Sequence, residues 1–127
     1  MIIIRLKGGL GNQMFEYAFA KGVTRRLQTE FRVDLSLLLD RSRKEIVFRD
    51  YDLDVFQVEP DFIASPAFLK QVYRIKSSKL SKWVRRWMIR GFTEYQEPHF
   101  HVVPDLLDNP PDQVAYNGWW QSPKYFA

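Results

Sequence analysis

The chain has 127 residues, of which 46% are hydrophobic, 16% aromatic and 27% charged, and its formal net charge is +4. These values predict one globular domain, residues 1–127, and exclude a coiled coil or a chain that is disordered throughout. The sequence has no cysteine, which excludes disulfides, thiolate metal sites and cysteine nucleophiles. No apolar run approaches the roughly 20 residues that span a bilayer, so we expect a cytoplasmic or peripherally membrane-associated protein.

The first third of the chain predicts a strand, a helix and a second strand. Ile2 to Leu6 is a β-branched run, typical of a strand that is buried on both faces. After a glycine-rich turn, helical spacing begins at Asn12, which is the predicted N-cap. The predicted buried face of this helix includes three apolar side chains: Phe15, Phe19 and Val23. Phe31 to Leu35 follows as a strand parallel to the first, which makes a βαβ unit.

The later elements are predicted less regularly. In chain order they are a loop with one short strand over 36–60, two amphipathic helices that start near Pro66 and hinge near Ser77-Ser78, a strand over 92–97, a loop over 104–111 and a strand over 114–119. Ser122 and Pro123 have the residue types of an N-cap and a first helical position. Because only four residues follow Pro123, we expect a truncated domain. Its last aromatic residues should then form an exposed apolar patch: Trp119, Trp120, Tyr125 and Phe126.

The strongest chemical signal is the segment KGGLGNQ, residues 7–13, between the first strand and the first helix. Glycines allow the backbone to turn tightly and approach a ligand, while free N–H groups at a helix start attract anions. The spacing matches neither the dinucleotide-binding nor the Walker pattern, so a tight turn without a ligand is the alternative. Asn12 and Gln13 are predicted to cap the helix or to contact a ligand, and capping explains Asn12 but not Gln13.

Residues 8–18, GGLGNQMFEYA, resemble the N-terminal signature of the α-1,2-fucosyltransferases, glycosyltransferase family 11. The resemblance continues in four further places: Val33 to Ser36, Tyr51 to Leu53 with Phe56, Phe92 to Glu97, and Gly118 to Phe126. It implies an α/β fold, the Rossmann-like N-terminal half of a GT-B glycosyltransferase. The implied reaction is inverting transfer of fucose from GDP-fucose to the 2-hydroxyl of a galactoside.

The resemblance also implies roles for individual residues in substrate binding. Gly9 and Gly11 would give backbone access to the substrate, Asn12 would make a polar contact across the cleft, and Gln13 is the next candidate. The family's second, donor-binding half carries a His-x-Arg-x-Gly-Asp motif that does not occur in this sequence, so no catalytic residue is assigned and the chain alone is expected to be inactive. Glu16 stands where the family often has glutamine, which would add a negative charge near the predicted anion site.

Other interpretations of the function come from different classes. One is a non-catalytic module that binds a glycan or nucleotide weakly, or that assembles with a separate second half. Another is a membrane-docking domain, because Phe62 to Thr93 contains eight basic residues and no acidic one. Such a domain would contact the membrane through residues 70–90. The favoured interpretation of this segment is instead a solvated basic face whose aromatic residues, Trp83 and Trp87, enter the core. Without a nucleic-acid-binding motif, no nucleic-acid partner is predicted.

Asp34 and two histidines are further candidates for functional residues. Asp34 ends the second strand, where open α/β sheets place functional side chains, but a capping or loop role is favoured. His99 and His101 flank Phe100 on a predicted strand. Because no suitable third ligand lies near them in the sequence, no metal site is predicted, and GDP-fucose is expected as a donor substrate without a cofactor.

Overall fold

The computed structural model describes residues 1–41, 50–57 and 60–126. Its four strands are β1 (Ile2–Arg5), β2 (Phe31–Asp34), β3 (Thr93–Gln96) and β4 (Val114–Asn117). They form one sheet in the order β2-β1-β4-β3, and each neighbouring pair is parallel. The described chain is therefore a small α/β protein of the Rossmann-like class.

Helices cover both faces of this sheet. They are α1 (Leu10–Leu27), α2 (Pro66–Tyr73), α3 (Ser78–Met88) and α4 (Pro104–Asp108), with short 3-10 helices at Leu53–Phe56 and Pro123–Tyr125. Parallel strands are joined by right-handed crossovers, which places α1 and α4 on one face and α2 and α3 on the other. The contacts agree, because α1 and α4 both touch the 3-10 helix at Pro123–Tyr125, and α2 touches α3. None of the helices in the described part of the chain is long and apolar enough to cross a membrane.

The predicted βαβ unit is confirmed. Ile2 lies opposite Phe31 and Arg5 opposite Asp34 in a parallel register. Phe19 and Val23 are buried in the core as predicted. Phe15 is only half-buried, because α1 is rotated so that two polar side chains lie on its inner face: Gln13 and Glu16.

The predicted start of α1 is wrong. The helix begins at Leu10, with Gly9 as the N-cap in an extended conformation and no side chain capping it. Gly8, at φ +80°, provides the turn that lets the chain enter the helix earlier than Asn12. Asn12 is therefore the third helical residue, and its side chain is available for other contacts.

The predicted exposed apolar patch at the end of the chain is also wrong: two of its four residues are buried, and the other two, Trp119 and Phe126, are half-buried. Trp120 and Tyr125 are buried, because both pack on Phe19 of α1. The Trp120 and Phe19 rings are stacked, with centroids 4.0 Å apart, and Tyr125 meets Phe19 edge-on at 5.1 Å. As predicted, Ser122 accepts a hydrogen bond from a backbone N–H, that of Lys124, although the turn that follows is a 3-10 helix.

The two helices after Pro66 are confirmed. Ser65 and Ser77 cap them, each accepting a hydrogen bond from the N–H three residues later. Contrary to the favoured interpretation, Trp83 and Trp87 do not enter the core but are exposed. Asp40 anchors the other side of α3, accepting hydrogen bonds from the Ser81 hydroxyl at 2.6 Å and the Arg85 guanidinium at 2.7 Å, which turns the tryptophans outward.

Three irregular regions differ from their predictions. The apolar stretch after Tyr51 forms the 3-10 helix at Leu53–Phe56 instead of a strand, while residues 42–49 and 58–59 of the expected loop lie outside the described residues. The expected loop over 104–111 begins with α4, since Pro104 at its first position and Asp105 in its first turn favour a helix. The histidines flanking Phe100 lie in a bend after β3.

Candidate functional site

Two turns meet at the carboxyl ends of the central strands β1 and β4. Open α/β sheets bind ligands at this edge. The Lys7 Nζ atom lies 4.5 Å from the centroid of the Trp119 ring. Gln121 Nε2 donates a 2.6 Å hydrogen bond to Asn12 Oδ1, joining residues 109 positions apart. We call this region the β1/β4 edge; it comprises Lys7, Gly8, Gly9, Gly11, Asn12, Trp119 and Gln121.

The glycine turn is required by its surroundings. Gly8 has a positive φ of +80°, a conformation that other residues rarely adopt. A Cβ at this position would overlap the Asn12 amide and come within 3.0 Å of the Trp119 ring. The turn at Gly8 therefore allows two side chains, those of Asn12 and Trp119, to approach the backbone closely.

The first turn of α1 presents backbone donors at this edge. The first hydrogen bond within the helix runs from Gln13 N to Gly9 O, at 3.0 Å. Among the described residues, no hydrogen bond uses the N–H groups of Leu10, Gly11 or Asn12. No acidic residue lies in this turn, so the free N–H groups and the positive end of the helix dipole favour an anion or a hydroxyl oxygen there.

Asn12 and Gln13 have different environments. Gln13 is fully buried, and both ends of its amide are used within the chain. Its Nε2 donates to the carbonyls of Gly8 and Asp50, and its Oε1 accepts from Asp52 N at 2.9 Å. Gln13 thus holds the glycine turn against the segment 50–52. Asn12 is only half-buried, and among the described residues no hydrogen bond uses its Nδ2.

Glu16 lies beneath the turn and is fully buried. Its Oε2 accepts a 3.1 Å hydrogen bond from Lys7 N, while its Oε1 has no hydrogen-bond partner among the described residues. Burial raises the pKa of Glu16 to about 9, so the carboxyl is protonated at neutral pH. A protonated carboxyl has one acceptor and one donor, like the amide of glutamine. The negative charge expected at this position is therefore absent.

Lys7 and Glu97 carry the remaining charges of this region. Burial lowers the pKa of the Lys7 amine, and the carboxyl groups of Glu16 and Glu97 partly oppose this shift. Glu97, just after β3, accepts hydrogen bonds from the backbone N–H groups of Trp119 at 3.0 Å and Trp120 at 3.1 Å. These bonds hold the turn after β4, in which Trp120 has a positive φ of 55°.

Asp34 ends β2, which pairs with β1, so it lies at the same end of the sheet as the β1/β4 edge. Asp34 is buried and accepts hydrogen bonds from Arg5 Nε at 2.9 Å and from Ser36 N at 2.8 Å. The favoured interpretation of Asp34, a structural role in a loop, therefore agrees with its contacts. In the described part of the chain, no group of three or more histidine or acidic side chains is placed to hold a metal ion.

Glu97, Trp119 and Gln121 are not among the site residues that the sequence predicts. All three lie in segments of the family resemblance, and their convergence with residues 8–18 is the signal that could have identified them. Comparisons of the chain with models of protein families, with curated proteins and with solved structures found no match.

Proposed function

We propose that the chain forms the N-terminal, Rossmann-like half of a GT-B α-1,2-fucosyltransferase and supplies one wall of its cleft. The reaction would transfer fucose from GDP-fucose to the 2-hydroxyl of a galactoside. The observation that supports this proposal is that the two most specific segments of the resemblance, 8–18 and 118–126, meet at the carboxyl ends of β1 and β4, where open α/β sheets bind ligands. The hydrogen bond between Asn12 and Gln121 joins them directly.

The β1/β4 edge is suited to binding and orienting a substrate. Inverting transfer requires a base at the acceptor hydroxyl, donors on the departing diphosphate and alignment of both substrates. The first turn of α1 and the Asn12 amide offer donors for diphosphate or sugar oxygens. The two carboxyl groups near this edge are not suited to removing a proton, because Glu16 is protonated at neutral pH and the Glu97 oxygens already accept backbone N–H groups.

Binding can be tested on the chain by itself. Titration of the ¹⁵N-labelled chain with GDP-fucose, and separately with a β-galactoside, should shift the amide signals of Gly9, Gly11 and Asn12 and the indole signal of Trp119. Asn12→Ala should weaken these shifts. Asn109→Ala is the matched control, since Asn109 is exposed in the loop after α4. Shifts confined to other residues, or none with either ligand, would contradict the proposal.

Transfer requires a test with the second half present. The chain alone, given GDP-fucose and the β-galactoside, should release no GDP above the hydrolysis background. After addition of a separately expressed second half from a complete family member, we expect GDP release that depends on the acceptor. Losing one well-placed donor costs about 10²- to 10³-fold in rate, so Asn12→Ala should lower the restored rate by up to that factor. An equal rate in Asn12→Ala and Asn109→Ala would refute the role of Asn12.

A further inference from the structure

One face of α3 exposes two tryptophans that the core does not use. Trp83 and Trp87 are 62% and 50% exposed, although tryptophan is a highly buried residue on average. They are four positions apart, so they lie one turn apart on the same face of the helix. A different face makes the core contacts, through Ser81, Val84 and Met88.

Basic side chains surround these rings. Lys79 lies four positions before Trp83 and Arg86 three positions after it, so both are neighbours of that ring on the helix surface. We call this surface the tryptophan stripe; it comprises Lys79, Lys82, Trp83, Arg86 and Trp87. No carboxylate of the described residues forms an ion pair with its three cations, whereas Arg85, on the core side, pairs with Asp40 at 2.7 Å. The stripe therefore combines exposed apolar rings with uncompensated positive charge.

We propose that the tryptophan stripe docks this protein on the surface of an anionic lipid bilayer. The indole rings would lie at the boundary between headgroups and acyl chains, and the lysine and arginine heads against lipid phosphates. Aromatic and basic residues in this arrangement are typical of helices that lie in a membrane interface. The segment 62–93, which includes the stripe, carries eight positive charges and no negative one, and each cation near an anionic leaflet strengthens binding.

Other occupants fit this surface less well. A second copy of the chain would bring like charges together, which opposes association. A nucleic acid would satisfy the cations and stack on the rings, but the sequence carries no nucleic-acid-binding motif. Indole rings flanked by basic side chains gain both from contact with hydrocarbon and from lipid phosphates. The bilayer is thus the favoured partner.

Docking in this orientation leaves the β1/β4 edge uncovered. The α3 helix lies on the face of the sheet opposite to α1, while the edge lies at the carboxyl ends of the strands. A membrane under α3 would therefore hold the chain without blocking substrate access to the glycine turn. The proposal does not rest on fucosyl transfer, because it concerns a separate surface.

The experiment is cosedimentation of the full chain with phosphatidylcholine vesicles, with and without phosphatidylserine. We expect at least ~10-fold stronger partitioning to the vesicles with phosphatidylserine, weakening as salt is added. Tryptophan emission should shift to shorter wavelength on binding. Absence of sedimentation, or equal partitioning to both kinds of vesicle, would overturn the proposal.

Variants separate the contributions of rings and charges. Trp83→Ala with Trp87→Ala should lower the partition coefficient at least ~10-fold, and Lys79→Gln with Arg86→Gln about 30-fold. Phe100→Ala is the control, because this ring is 76% exposed outside the stripe, and it should bind like the wild type. Circular dichroism and the thermal midpoint verify folding. Wild-type affinity in the double tryptophan variant, or tighter binding to single-stranded DNA than to the anionic vesicles, would refute membrane docking.

Discussion

Replacing the buried Glu16 with glutamine tests whether its carboxyl is neutral in the folded chain. The pKa of Glu16 is about 9 in the fold, against 4.5 for the ordinary group. Between these values the folded state holds a proton that the unfolded state has lost. Stability therefore falls as pH rises, by about 1.4 kcal/mol per pH unit. Glutamine has the same shape and no proton to lose, so Glu16→Gln should remove this dependence.

The size of the effect follows from the two pKa values. Relative to wild type, Glu16→Gln should raise the free energy of unfolding by about 1 kcal/mol at pH 5, about 3 kcal/mol at pH 7 and about 5 kcal/mol at pH 8. At pH 7 this corresponds to a rise in the thermal midpoint of about 10 °C. The lowered pKa of Lys7 has the opposite effect on stability. Between this lowered pKa and the ordinary value of 10.5, at alkaline pH, the unfolded state holds a proton that the folded state has lost, so stability rises with pH.

Urea unfolding followed by circular dichroism at pH 5, 6, 7 and 8 measures these differences. Glu30→Gln is the matched control: Glu30 is exposed, so this change should alter stability by less than about 0.5 kcal/mol at every pH. A difference between Glu16→Gln and wild type that does not grow with pH would show that Glu16 has no raised pKa. Destabilisation by Glu16→Gln at pH 7 would show that the carboxyl is ionised and paired with Lys7.

Two further predictions concern the packing of α1 against the end of the chain. A Cβ at Gly22 would overlap the carbonyl oxygen of Tyr125, so Gly22→Ala should destabilise by about 1–3 kcal/mol. Gly11→Ala, at a position with open space, should stabilise by up to about 1 kcal/mol, and equal effects in urea unfolding would contradict this geometry. Phe19→Ala removes the ring that stacks on Trp120 at 4.0 Å and should cost about 3–5 kcal/mol. A loss below about 1 kcal/mol would show that this stack does not support the fold.

Local patterns in the sequence were enough to predict several elements. The β-branched run at Ile2–Arg5, the glycine turn and the helical spacing after it determine the βαβ unit, because each depends on residues close in the chain. Pro66 and the hinge near Ser77-Ser78 likewise predicted the two helices that follow, which Ser65 and Ser77 cap through a backbone N–H three residues away.

The tertiary structure alone decided which polar side chains are buried and which apolar ones are exposed. Gln13 is buried because the carbonyl of Asp50 and the N–H of Asp52 satisfy its amide, and no helical pattern shows these distant partners. The apolar face of α3 is wider than the part of the core that it contacts. The hydrogen bonds from Ser81 and Arg85 to Asp40 determine how the helix is rotated about its axis, and this rotation leaves the tryptophans exposed.

The candidate site depends on the order of the strands. Each of its two segments could be found in the sequence, but their meeting requires β4 to lie directly beside β1. The packing of the crossover helices against the two faces of the sheet sets that order. This packing consists of contacts between residues far apart in the chain. The sequence by itself determined the turn and the residue types; the tertiary structure placed Asn12 beside Gln121, because only the assembled sheet brings their two strand ends together.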